Sequence, residues 1–245
     1  MREVLVQIQS AAPKMKDINA TIIIDIEGKS EEEVFKGLEY TRRKNIKKAL
    51  RSDLTIEEVN VEREYKKCYE LYSKVIKNGG SDPFSYDVWR EWAKKENWEL
   101  FTIKKKDKTA GYYSIIKITP SYYGLDSSNF RPSQLGVRPR VFASDPKFHQ
   151  FRINDFIYWN TILYGIKNKA SFVDLGGYQI KPRGHLKEVN KFKERWGGKI
   201  FYYRLDYSVY TAIIRKLVRN LSVFWHINQL SKKFFKRKPL PFKSD

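Results

Sequence analysis

The chain has 245 residues, 41% of them hydrophobic and 15% aromatic, which is ample for a packed core and excludes a chain disordered throughout. Lys and Arg number 48 against 28 Asp and Glu, a formal charge of +20 at pH 7, so its field attracts polyanions such as RNA, anionic headgroups or phosphate-linked precursors. Cys68 is the only cysteine, which excludes an intrachain disulfide framework and fits a reducing, cytoplasmic setting.

In chain order, Val4 to Ile8 reads as a strand piece, and no apolar run is long enough for a signal peptide or a spanning helix. Thr21 to Ile26 is β-rich. Ser30 with Glu33 forms a capping box that opens one helix running to Arg51, carrying Arg42, Arg43, Lys44, Lys47 and Lys48. Leu54 to Val61 follows as a strand. Tyr65, Cys68, Tyr69, Tyr72, Val75 and Ile76 step by three and four, predicting a helix with Cys68 in the core. Another helix spans Ser85 to Asn97, and Trp98 to Ile103 pairs with Ala110 to Ile118 across a polar turn. Residues 119–152 read as irregular. A helix from Asn154 to Lys167 precedes a short buried strand ending at Leu175. A helix from Leu186 to Trp196 ends on Gly197, and Ile200 to Arg204 is a strand. From Asp206 a long amphipathic helix leads into a basic tail suited either to the core or to an anionic membrane at the inner face.

Two motifs concentrate the chemistry. Asp174-Leu-Gly-Gly177 ends a strand, and Phe192-Lys-Glu-Arg-Trp-Gly-Gly198 ends a helix fifteen residues later. Gly176 and Gly177 permit a sharp turn or close approach to a ligand. Lys181, Arg183 and His185 between them form a cationic loop, so the ensemble suits an anionic group. Asp174 either orients the glycine turn or accepts a proton. Lys193 either stabilises developing negative charge or faces water beside Lys187 and Lys191. The three histidines have no metal-ligand spacing, so no metal is expected, and there is no nucleotide-binding or serine-hydrolase motif.

The ordered pair of motifs resembles the signature of the FemABX-type aminoacyltransferases, non-ribosomal peptidyltransferases built from GNAT-fold domains. Their pattern is Asp/Asn-x-Gly-Gly, a variable loop, then Phe-Lys-x-x-Phe-Gly-Gly, with Trp196 here where Phe is usual. Residues 20–26 and 41–49 resemble the family's strand and Arg-rich helix upstream. The resemblance implies an α/β, GNAT-like mixed sheet flanked by helices in one main domain, with an acyl donor entering between two splayed central strands. It implies aminoacyl transfer from aminoacyl-tRNA to an amine of a cell-wall peptidoglycan or surface-glycan precursor, with no cofactor. Lys193 and Asp174 would be catalytic. Phe192, Gly176, Gly177, Gly197, Gly198, Lys181, Arg183 and His185 would bind the donor. Family members carry two such domains. Residues 1–52 are therefore expected to be the remnant or linker of a first domain, 53–210 the catalytic domain, and 211–245 a basic amphipathic tail, with a partner subunit supplying a first domain. The alternatives are a GNAT enzyme using acyl-CoA as co-substrate, although Phe148 to Asn154 lacks the usual glycine-rich CoA loop, and a non-catalytic basic module that binds RNA or membrane.

Overall fold

A computed structural model describes residues 18–78, 82–96, 98–119, 135–184 and 186–204. The expected strand at Val4 to Ile8, His185 and the helix and tail after residue 204 lie outside the described residues. Seven strands form one mixed sheet in the order β2-β3-β4-β5-β6-β1-β7. They are β1 (Ile18–Asp25), β2 (Leu54–Glu58), β3 (Glu99–Lys105), β4 (Lys108–Ile118), β5 (Gly136–Ser144), β6 (Phe172–Tyr178) and β7 (Lys199–Arg204). The helices are α1 (Glu31–Gly37), α2 (Tyr40–Leu50), α3 (Val61–Asn78), α4 (Tyr86–Lys95), α5 (Ile153–Lys167) and α6 (Leu186–Glu194), with a 3-10 helix at Pro146–Phe151 before α5.

β1 lies inside the sheet, antiparallel to β6 on one side and β7 on the other, with Ile22, Ile24 and Ile26 of its apolar run buried in the core. β1 is thus integral to the same sheet as β2 to β7, where the sequence suggested residues 1–52 as the remnant or linker of a first domain. The capping box at Ser30 forms as expected. The single helix expected from Ser30 to Arg51 is instead two. Leu38 is extended, and the Arg43 guanidinium donates to the Lys36 and Leu38 carbonyls, satisfying the end of α1. The periodic face of α3 buries Tyr65 and Cys68, and burial pushes the Cys68 thiol well up, leaving it an inert core group.

The stretch read as irregular contains β5, the strand that shapes the site. Pro139 is accommodated opposite Ile115, beside a bulge in β5 where Arg140 and Val141 stand against Ser114 alone, and Val141 N–H is taken by the Ser114 hydroxyl instead of the ladder. Strand β5 runs on into the 3-10 helix and α5, which returns the chain to β6. Helix α5 is buried around much of its circumference, including Phe156, Ile157, Trp159 and Ile162, so its sequence shows little amphipathic pattern. Strands β5 and β6 are parallel, and they pair only at Gly136 with Phe172 and Val137 with Val173. Beyond that point they have no ladder, and the sheet opens at its centre.

Candidate functional site

Arg138 and Asp174 are the first residues past the last paired positions of β5 and β6. A side-chain ion pair replaces the backbone ladder there: Arg138 Nη1 lies 3.2 Å from Asp174 Oδ2. Asp174 has no exposed surface. Its Oδ1 accepts the Thr21 hydroxyl and, at 2.7 Å, the N–H of Gly176. Thr21 reaches it because the β1 register against β6 shifts between Thr21 and Ile23. Asp174 is therefore a fastener of three segments, with both oxygens occupied. That geometry agrees with its turn-orienting role and leaves no free oxygen directed at a substrate amine. Gly176 N–H is likewise committed to Asp174, so it is not free to bind an oxyanion.

Gly176 sits at φ +80, the left-handed region. Its missing side chain matters for space as well. A β-carbon there would lie 3.6 Å from Lys193 Nζ and 3.7 Å from Arg138 Nη2. Two cations therefore converge over Gly176, with Asp174 the carboxylate between them. Lys193 comes from α6. Leu186, Asn190 and Lys193 follow helical spacing, and the last two are buried on the inner face while Lys187, Lys191 and Glu188 face solvent. The Asn190 side chain bonds both the N–H and the carbonyl of Gln179, fixing α6 against the end of β6. Lys193 is 8% exposed and donates to the Gly177 carbonyl at 2.8 Å. Burial pushes its ammonium down to about 8. The neighbouring Asp174 opposes that shift and Arg138 adds to it. Lys193 is therefore a desolvated cation rather than one of three water-facing lysines.

An aromatic wall stands beside it. Phe192 packs 5.4 Å from the Tyr158 ring, and Trp196 lies 5.5 Å from the same ring. Tyr158 is fully buried, donates to the Leu175 carbonyl and has its hydroxyl pKa raised by burial and by Asp174. The Arg42 guanidinium lies 4.6 Å from the Phe192 ring centroid and pairs with Asp155 on α5 at 2.6 Å. Gly197 and Gly198 have a packing role. A β-carbon on Gly198 would come within 2.5 Å of Ile22 and 2.8 Å of the Ile23 carbonyl, so this turn is glycine because it runs so closely against β1.

The structure thus brings together Asp174, Gly176, Gly177, Phe192 and Lys193. Lys181 and Arg183 lie exposed on the following loop and make no ion pair among the described residues. Sequence reading missed Arg138, Thr21, Tyr158, Asn190 and Arg42. The spacing of Leu186, Asn190 and Lys193 was a usable sign that Lys193 faces inward. Among the described residues, no cluster of His, Cys, Asp or Glu suits a metal, and no helix is long and apolar enough to cross a membrane.

No protein-family profile matches the sequence, and a comparison with curated proteins finds no match. Solved structures do match. FemX superposes with a TM-score of 0.60 at 16% identity, over 76% of this chain and 61% of its own. The C-terminal domain of a lysylphosphatidylglycerol synthetase from Agrobacterium fabrum gives a TM-score of 0.47 at 12% identity, covering 82% of this chain and 63% of that one. L-PGS from Bacillus licheniformis gives 0.45 at 14%, covering 87% and 68%. The superposition on FemX shows a shared fold, and this chain spans about three fifths of the length of FemX.

Proposed function

We propose that this chain is an acyltransferase that moves an aminoacyl group from aminoacyl-tRNA to an amine of a cell-wall or surface-glycan precursor. The observation that carries the proposal is the pair of converging cations, Lys193 and Arg138, over a glycine turn where the central strands of a GNAT-like sheet part. The fold shared with FemX and the excess of positive charge over the whole chain support the same reading.

In the reaction, the neutral acceptor amine attacks the ester carbonyl carbon. A C–N bond forms and the carbonyl π electrons move to oxygen. The oxyanion then collapses, the ester C–O bond breaks, and the amine proton passes to the departing ribose oxygen through solvent. An amine is a sufficient nucleophile once neutral, so no strong base is required. Lys193 supplies the positive charge that the oxyanion needs, in a site with little water to screen it. Arg138 holds Asp174, which in turn holds the glycine turn and offsets one of the two cations. With a pKa of about 8, Lys193 is mostly protonated at neutral pH and loses its charge as the pH rises further.

The test is transfer of a labelled amino acid from charged tRNA to a stem-peptide precursor bearing a free amine, with acyl-CoA as a parallel donor. Lys193→Ala should lower kcat by about 10²- to 10³-fold while circular dichroism stays native. Unchanged transfer in Lys193→Ala would remove the proposed role of the cation. Transfer from acyl-CoA alone would replace the donor.

A further inference from the structure

Helix α2 turns two unlike faces to its surroundings. Arg42, Ile46 and Ala49 are buried, and the helix packs against α5. The other face carries Tyr40, Arg43, Lys44, Lys47, Lys48 and, at the C-cap, Arg51, which with Ser52 line an open concavity of about 690 Å³. Their spacing places them along one side of an eleven-residue helix, roughly 16 Å long. Lys44, Lys47, Lys48 and Arg51 are exposed, and Tyr40 is 69% exposed.

The α2 face gathers its cations without the local carboxylate partners that some surface lysines have. Lys29, Lys36, Lys67 and Lys191 each pair with a carboxylate three or four residues away. Among the described residues, none of the five cations on the α2 face has a carboxylate within ion-pair distance. The helix itself contains no acidic residue, and Arg42 and Arg43 stand in its first turn, where the helix dipole disfavours positive charge. Repulsion along the stripe is a local cost to the fold that a bound polyanion would relieve.

We infer that the outer face of α2 is a docking surface for the phosphodiester backbone of an RNA, with Tyr40 placed to stack on an unpaired base. This rests on the reading of aminoacyl-tRNA as donor and locates where that RNA lies. The stripe lies on the same helix as one flank of the candidate site, though on its opposite, outer face. Arg42, one residue from Arg43, sets its guanidinium over Phe192, next to Lys193. An anionic membrane fits this face less well. An interfacial helix inserts an apolar side, and the apolar side of α2 is already buried.

The test uses the full chain and bulk uncharged tRNA, which reads the surface without needing transfer. The triple variant Lys44→Gln, Lys48→Gln, Arg51→Gln is compared with Lys66→Gln, Lys74→Gln, Lys77→Gln from exposed positions on α3, which has the same net charge. The α2 variant should bind tRNA about 10- to 100-fold more weakly near physiological salt, and its slope of log K against log salt should shrink by about 2 to 3. The α3 variant should lose much less, and Lys44→Arg with Lys48→Arg should retain binding. Equal losses in both triple variants would overturn the inference, as would lost binding to phosphatidylglycerol vesicles with tRNA binding intact. Stripe-dependent tRNA binding without any transfer would sink the acyltransferase proposal and leave the surface standing. Transfer from charged tRNA that is indifferent to the stripe would do the reverse.

Discussion

Replacing Lys193 with Met should make the protein more stable and inactive. The lysine is 8% exposed and its ammonium is pushed from 10.5 down to about 8. The folded state therefore binds fewer protons than the unfolded chain between pH 8 and 10.5. Stability rises with pH across that window, and below pH 8 the whole cost of holding the buried cation is present. That difference corresponds to about 3 kcal/mol. Met has similar length and no charge, so Lys193→Met removes the cost but loses the bond to the Gly177 carbonyl. That bond contributes about 1 kcal/mol, and Gly177 is exposed, so water can replace the donor. The variant should be about 2 kcal/mol more stable at pH 7 and about 1 kcal/mol less stable near pH 10.5. Urea unfolding of both proteins at several pH values measures this, and titrations common to the two cancel in the difference. Parallel stability curves from pH 7 to 10.5 would refute the claim that Lys193 is a desolvated cation, and with it the basis for its chemical role.

Two further substitutions probe the frame around the site. Gly198→Ala should destabilise by about 3 kcal/mol, because its β-carbon would meet the Ile23 carbonyl at 2.8 Å and backbone cannot yield cheaply; a loss below about 1 kcal/mol in urea unfolding would mean the turn can move. Asp155→Ala should cost about 3 to 5 kcal/mol by leaving Arg42 buried without its carboxylate, and adding Arg42→Met should recover much of that. Additive losses in that double-mutant cycle would show that the pair is not coupled.

Elements with strong local signals were legible in the sequence: the capping box at Ser30, the three-four period of α3, the β3–β4 hairpin, and the helix that carries Lys193. The Gly-Gly motifs lie where Asp174, Gly176 and Lys193 come together. What escaped were features set by partners distant in sequence. Strand β5 has Pro139 in its middle and lacks alternation, since a bulge at Arg140 and Val141, seen only in its register against β4, interrupts it. Arg138 was hidden with it. Thr21 sits in an apolar run where nothing local announces a bond to a carboxylate 153 residues away. The break between α1 and α2 depends on the Arg43 guanidinium reaching back to two carbonyls, which periodicity cannot register.

The placement of β1 explains why the site cannot be assigned to the later part of the chain alone. β6 carries Asp174, Gly176 and Gly177, yet its pairing with β5 amounts to two residue pairs. Its long partnership is with β1, from Asp25 opposite Phe172 to Ala20 opposite Tyr178. β7 is held by β1 as well, from Ile23 opposite Lys199 to Ile18 opposite Arg204. Without residues 18–25 the glycine turn would lose its strand partner, Asp174 would lose the Thr21 hydroxyl, and Gly198 would lose the surface against which it is packed. The opening between β5 and β6 is useful for the same reason: β6 can leave β5 and stay rigid only because β1 satisfies its other edge. The candidate site at the centre of this sheet is thus supported by the strand that comes first among the described residues and lies between the last two.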